Sequence, residues 1–188
     1  MGRLQSIKID VFTILCFVGA WIFVTLVIFP LQSRFLMFAD VASLLFLPHG
    51  VRILATWLTG ARAIVPLTLA EALAASIIWG WDGLQSQWTI LAASVVGGSS
   101  AFITFRLFLL AGISCTAKDH GMRLWRVLLL VALGASIINS LGKAIVLGEV
   151  FNPMDTTKVI ATFIIGDVLG AASCLMLMLF AFRHLQRP

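Results

Sequence analysis

The chain has 188 residues, 61% hydrophobic and 11% charged, with a mean hydropathy of +1.07. A water-soluble domain carries about a quarter charged residues, so this composition excludes one and requires lipid as solvent. The net charge of +5 is spread over several segments without the interleaved aromatics that stack bases, which excludes nucleic acid as a partner.

Apolar segments recur along the whole length and leave no polar stretch long enough for a second, soluble domain. Residues 1–188 therefore read as one integral membrane domain. Six segments have the length that a hydrocarbon layer of roughly 30 Å requires: approximately 9–29, 41–57, 63–79, 89–114, 127–148 and 158–182. The first follows Arg3 and Lys8, but its apolar run exceeds that of a signal peptide and no A-x-A-like site follows, so it reads as retained. Turn residues at Trp81-Asp82-Gly83 and Phe151-Asn152-Pro153 separate later spans. The fold class is all-α, a polytopic transmembrane helix bundle of about six spans.

Orientation follows from the basic residues. With both ends cytoplasmic, the inner segments hold Arg3, Lys8, Arg62, Lys118, Arg123, Arg126, Arg183 and Arg187, and the outer ones only Arg34 and Lys158. The positive-inside bias predicts N-in and C-in. Trp57, Trp79, Trp81, Trp88 and Trp125 fall near span ends, where the indole ring prefers the headgroup zone; Trp21 does not. The loop bearing Lys118, Asp119, His120, Arg123 and Arg126 is suited to anionic lipid headgroups or a cytoplasmic partner. Cys16 and Cys174 lie within spans and Cys115 in that loop region, so neither a disulfide framework nor a CxxC site is implied.

The chemistry lies with ionisable residues inside the spans, each of which costs about 2.5 to 3.5 kcal/mol at a helix centre. These are Arg52, Glu71, Arg106, Lys143 and Asp167. At about 1.5 Å rise per residue, Arg52 lies roughly 16 Å below the outer start of its span, Asp167 roughly 14 Å below its own, and Glu71 roughly 12 Å above the inner start of the third. These three are expected to meet near the midplane. Arg106 and Lys143 lie near span ends, where long stems reach the interface, and read as topology anchors.

In the stretch FLPHGVRIL, His49 and Arg52 share a helix stripe with Thr56, at i, i+3 and i+7, that should face the bundle interior. Pro48 and Gly50 loosen the backbone where this stripe begins, and broken helices in membranes require protein or a hydrated cavity beside them. Asp167 is surrounded by Gly166, Gly170, Ala171 and Cys174, whose small side chains permit close helix packing and should bring a neighbouring arginine within reach of the carboxylate. Ala93, Gly97 and Ala101, with Gly98, form a second small-residue face for helix packing. Asn139 and Ser140 add hydrogen-bonding groups in the fifth span. The expected site is a polar pocket of His49, Arg52, Glu71 and Asp167, binding a small ligand or a partner's helix, relaying protons through His49, Glu71 and Asp167, or serving as a structural ion pair that sets helix register. No metal site is expected, because His120 and His184 lie outside the membrane, and no cofactor motif is present. No Ser/His/Asp order, HExxH, P-loop or dinucleotide fingerprint points to an enzyme.

The block LFLPHGVRILATWLTGARAIVPLTLAEALAA resembles the second and third spans of the MASE1 family of integral membrane sensory regions. The block IIGDVLGAASCLMLMLF, through Gly166, Asp167 and Gly170, resembles that family's glycine-aspartate block near its last span. The resemblance covers about residues 41–182. It departs from the family pattern in its single proline (Pro48), in His49 where a small residue is usual, and in the absence of an asparagine and a glutamate around Gly97 and Gly98. It implies a sensing and signal-transduction module in a bacterial cytoplasmic (inner) membrane. No kinase or cyclic-dinucleotide output region stands before Pro188, so the signal is expected to pass to a separate membrane or cytoplasmic protein. Two other readings fit the same residues: an accessory subunit of a larger membrane complex, and a substrate-binding component of vitamin-type uptake.

Overall fold

A computed structural model of the chain describes residues 3–35, 43–79, 87–116, 124–146 and 156–185. These residues form helices and no strand. The helices are α1 (Arg3–Phe23), α2 (Phe29–Phe35), α3 (Leu47–Thr59), α4 (Ile64–Trp79), α5 (Gln87–Leu110), α6 (Leu124–Val146) and α7 (Thr156–Leu185). The turns expected at 81–83 and 151–153, and Lys118 to Arg123 of the basic loop, lie outside the described residues.

Among the described residues, five helical stretches are long and apolar enough to cross a membrane: Leu4–Arg34, Leu47–Ile78, Gln87–Leu110, Leu124–Val146 and Ile160–Ala181. The distribution of side chains agrees with lipid surroundings. Leu26, Leu141 and Met176 are 69%, 51% and 69% exposed, whereas His49 and Arg52 are fully buried. Such an arrangement would be costly in water and suits a hydrocarbon solvent, which hydrates no polar group.

α1 and α2 are continuous through a π-helical turn, Val24–Ile28, in which the Phe29 N–H donates to the Val24 carbonyl. Pro30 explains the turn: it lacks an N–H, and its ring crowds the carbonyl four residues back, so the helix widens ahead of it. Trp21, away from either span end, packs edge-on against Phe17 and Phe46 with ring centroids 5.9 and 5.6 Å away.

The second and third expected spans form the single run 47–78, divided by a 3-10 turn at Gly60–Ala63. Gly60 has φ +64° and ψ −138°, a backbone state open to glycine and strained for other residues. Arg52 and Glu71, 19 residues apart, touch through their side chains at 2.9 Å. A straight helix would separate them by nearly 30 Å, so the chain folds back at Gly60.

Helix α3 begins later than the expected span, at Leu47, with Pro48 in its first turn, where a missing N–H does no harm. The lead-in Ser43–Phe46 is non-helical and is held by specific bonds. The Phe46 N–H donates to the Gly166 carbonyl (2.9 Å), and the Leu44 N–H to Gln32 Oε1 (2.7 Å). A Cβ on Gly166 or Gly170 would collide with the carbonyls of Ser43 and Phe46. Those two glycines therefore seat the non-helical lead-in and the start of α3 against α7.

Packing runs in a closed circuit: α1 on α4, α4 on α5, α5 on α6, α6 on α7, α7 on α3, and α3 on α1. Helix α3 also meets α5 and α6, which makes this short helix the innermost. Around it the core is built from Ile53, Leu128, Val131, Ala132, Ala135 and Ala171, with Phe17, Leu67 and Ala70 on the other side. Alanine recurs in this core because helices in lipid gain from close contact and little from hydrophobic exclusion.

Candidate functional site

The first two turns of α3 carry the centre of the site. His49 and Arg52 lie there on one helix stripe, and both are fully buried. Glu71 of α4 and Asp167 of α7 are each 2% exposed. The structure brings all four residues of the expected site into one contiguous cluster, and adds Ala132, Ser136 and Lys143 from α6.

Arg52 is the hub. Its Nη2 donates to Glu71 Oε2 at 2.9 Å, and its Nη1 lies 3.0 Å from His49 Nδ1. The guanidinium also stands over the Phe17 ring, 5.7 Å from the centroid, a distance at which the ring's quadrupole attracts a cation. Glu71 Oε1 receives the Lys143 ammonium. Position along the span predicts Lys143 to be an interfacial anchor; its side chain, 24% exposed, turns inward instead, because a buried carboxylate attracts it more strongly than the interface. Arg106, the other expected anchor, is exposed.

His49 sits between opposite charges. Its Nε2 is 3.0 Å from the Ala132 carbonyl. A carbonyl only accepts, so Nε2 carries a hydrogen. Its Nδ1 faces Arg52 Nη1 and, at 3.4 Å, Asp167 Oδ2. The Ser136 hydroxyl donates to the same carboxylate oxygen at 2.7 Å. Ala132, Ser136, Asn139 and Lys143 thus form one stripe of α6 along the cluster, spaced at helical intervals.

With Arg52 and Lys143 positive and Glu71 and Asp167 negative, the cluster is balanced without His49. Balance is the condition for burying charge, since an uncompensated ion in hydrocarbon is expensive. Not every polar atom is matched. Arg52 Nε, Thr56 Oγ1, Asn139 Oδ1 and Ser140 Oγ are buried without a partner among the described residues. Among those residues no group of three metal-ligating side chains occurs.

The glycines of α5 serve this site. A Cβ on Gly97 would stand 2.5 Å from Glu71 Cδ and Oε1, and nearer still to Oε2. Gly97 is the space into which the carboxylate folds. Gly98 lets the backbone of α4 approach α5, since a Cβ there would stand 2.8 Å from Thr68 N, closer than side chains pack. The role of Gly97 is legible in sequence only as a small-residue face, because nothing there tells which side chain the gap receives.

The site differs from an open pocket in that its charged groups bond to one another. A recess of about 300 Å³ lies elsewhere, between α4 and α5, lined by Ala72, Ser76, Gln87, Trp88, Ile90 and Leu91. It shares no residue with the cluster. Compared with known protein families, with curated proteins and with solved structures, the chain matches none.

Proposed function

We infer that this chain is a non-enzymatic membrane sensing module, in which α3 is the moving element and the buried ion cluster is the device that reads its position. One observation carries the reading. A short helix that starts inside the bundle bears His49 and Arg52, which bond side chains on α4 and α7 and the backbone of α6. A shift of α3 would re-pair charges on three neighbours at once. The unpartnered atoms favour this over a purely structural lock, since each buried orphan costs about 1 to 3 kcal/mol. A lock with no second state would gain by satisfying them. The reading takes in the resemblance of two sequence blocks to the MASE1 sensory region, with the signal passing to a separate membrane or cytoplasmic protein.

The reading includes six crossings, with N-in and C-in orientation in a bacterial cytoplasmic membrane. The fold-back at Gly60 supports counting α3 and α4 as separate passes, with Ser43–Phe46 completing the first. Single cysteines at Gln5 and Gln186, in a chain without its native cysteines, should both label from the cytoplasmic face. Labelling from opposite faces would mean an odd number of crossings.

The decisive experiment replaces the central pair together, Arg52→Met with Glu71→Met, leaving Lys143 near its span end. Exchanging a buried ion pair for apolar residues of similar size is often neutral for folding. Mass spectrometry then compares what leaves the native membrane with each protein, small molecules included. A species bound to the wild type and lost from the folded double variant supports the reading. An unchanged set of bound species would reduce the cluster to a structural pair.

A further inference from the structure

We propose that His49 is a proton-binding site, whose occupancy decides whether the imidazole pairs with Arg52 or with Asp167. The geometry of its two nitrogens leads there. Nε2 is committed to the Ala132 carbonyl in either state, because that oxygen can only accept. All the variability therefore falls on Nδ1. When Nδ1 is bare it can accept from Arg52 Nη1 at 3.0 Å, but its lone pair then faces the Asp167 oxygen 3.4 Å away, two acceptors opposed. When Nδ1 is protonated it donates to Asp167, and the Arg52 N–H is opposed instead. Neither state satisfies both neighbours, and one proton converts one state into the other.

The step is simple in its balance. A proton from solvent adds to the Nδ1 lone pair, the hydrogen bond from Arg52 Nη1 is given up, no covalent bond of the protein breaks, and the cluster's charge rises from zero to +1. The added charge is felt by every ionisable group around α3. Asp167 on α7 stabilises it directly; Glu71 on α4 does so from behind Arg52; Arg52 and, through Glu71, Lys143 on α6 oppose it. Cys174 on α7 is occupied with the Leu47 carbonyl (3.5 Å). On α1 the facing group is the neutral Phe17 ring, while Asp10 is paired with Arg62 at 2.8 Å. On α5, Arg106 is exposed. Arg52, losing its acceptor at Nη1, is left to seek another; Thr56 Oγ1 on its own helix, and Asn139 Oδ1 and Ser140 Oγ on α6, are buried acceptors without a partner among the described residues. Protonation would thereby draw His49, and α3 with it, toward Asp167 on α7, while Arg52 Nη2 keeps its bond to Glu71 on α4.

This deepens the sensing reading and rests on the cluster having two states. Its test uses the protein alone, so it can fail while the bound-species experiment succeeds, or the reverse. The full chain, labelled with 15N-histidine and held in lipid nanodiscs, is titrated by NMR from about pH 8 to about pH 4.5, a range bracketing the ordinary imidazole value. His49→Gln assigns the His49 signals among the three histidines. The expected result is a His49 Nε2 that stays protonated throughout, while Nδ1 passes from bare to protonated. Asp167→Asn should move that midpoint down by about one unit or more, the effect of removing an adjacent opposite charge. An Nδ1 that remains bare across the range in the wild type would overturn the proposal, as would a midpoint indifferent to Asp167→Asn in the folded variant.

Discussion

Substitution of Gly97 by alanine tests the site through a residue that has no polar side chain of its own. The new Cβ would lie 2.5 Å from Cδ and Oε1 of Glu71 and closer to Oε2, against an ordinary contact of about 3.5 Å. The carboxylate must retreat by at least about 1 Å. Its bond to Arg52 Nη2, now 2.9 Å, then exceeds the range of about 2.7 to 3.2 Å for such bonds. Arg52 is left buried with a lost counter-ion, a situation that costs about 3 to 5 kcal/mol. Without the clash, alanine would raise helix propensity by about 1 kcal/mol, so even the sign of the change is informative. The assay is a double-mutant cycle, measured as reversible unfolding in mixed micelles. Gly97→Ala should destabilise the wild type by several kcal/mol, yet be neutral or stabilising in a Glu71→Ala background, where the space is already free. Additive effects, or a wild-type loss under about 1 kcal/mol, would refute the view that Gly97 exists to seat Glu71.

The same geometry sets other outcomes. Gly60→Ala should destabilise by about 1 to 3 kcal/mol purely through its backbone, because nothing lies within 4 Å of the added Cβ; chemical denaturation checks this, and an unchanged midpoint would contradict the positive φ. Arg62→Ala removes an ion pair to Asp10 whose side chains are each 35% exposed, and should cost under about 1 kcal/mol, far less than Arg52→Ala in the same unfolding assay. Burial pushes the Cys115 thiol above its ordinary value. Less thiolate is then present at neutral pH, so maleimide labelling of Cys115, in a chain lacking the other two cysteines, should be slow at pH 7 and speed up as pH rises past that of a free thiol.

Much of the site is visible in the chain without coordinates. The i, i+3, i+7 stripe of His49, Arg52 and Thr56 identifies the inward face of α3, because a polar group in lipid has nowhere else to turn. Counting rise per residue places Arg52, Glu71 and Asp167 at similar depth. The same arithmetic misjudges Lys143, since linear depth records where a Cα sits and not which way a long stem bends. The small residues around Asp167 suggest close helix approach at Gly166 and Gly170, and the neighbour there is the non-helical lead-in and first residue of α3. Ala132 has no signal in the sequence at all, as it contributes only a carbonyl.

Periodicity, hydropathy and the cost of buried charge are local properties, and they are enough to determine that this chain is helical, apolar throughout, and polar at a few inward positions. Pairing is a relation between helices distant in sequence. Which carboxylate meets Arg52, where α3 begins, and that Glu71 rests against Gly97 depended on how α3, α4, α5, α6 and α7 close around one another. Coulomb attraction in a low-dielectric interior selects partners only among groups that packing has already brought within a few ångströms.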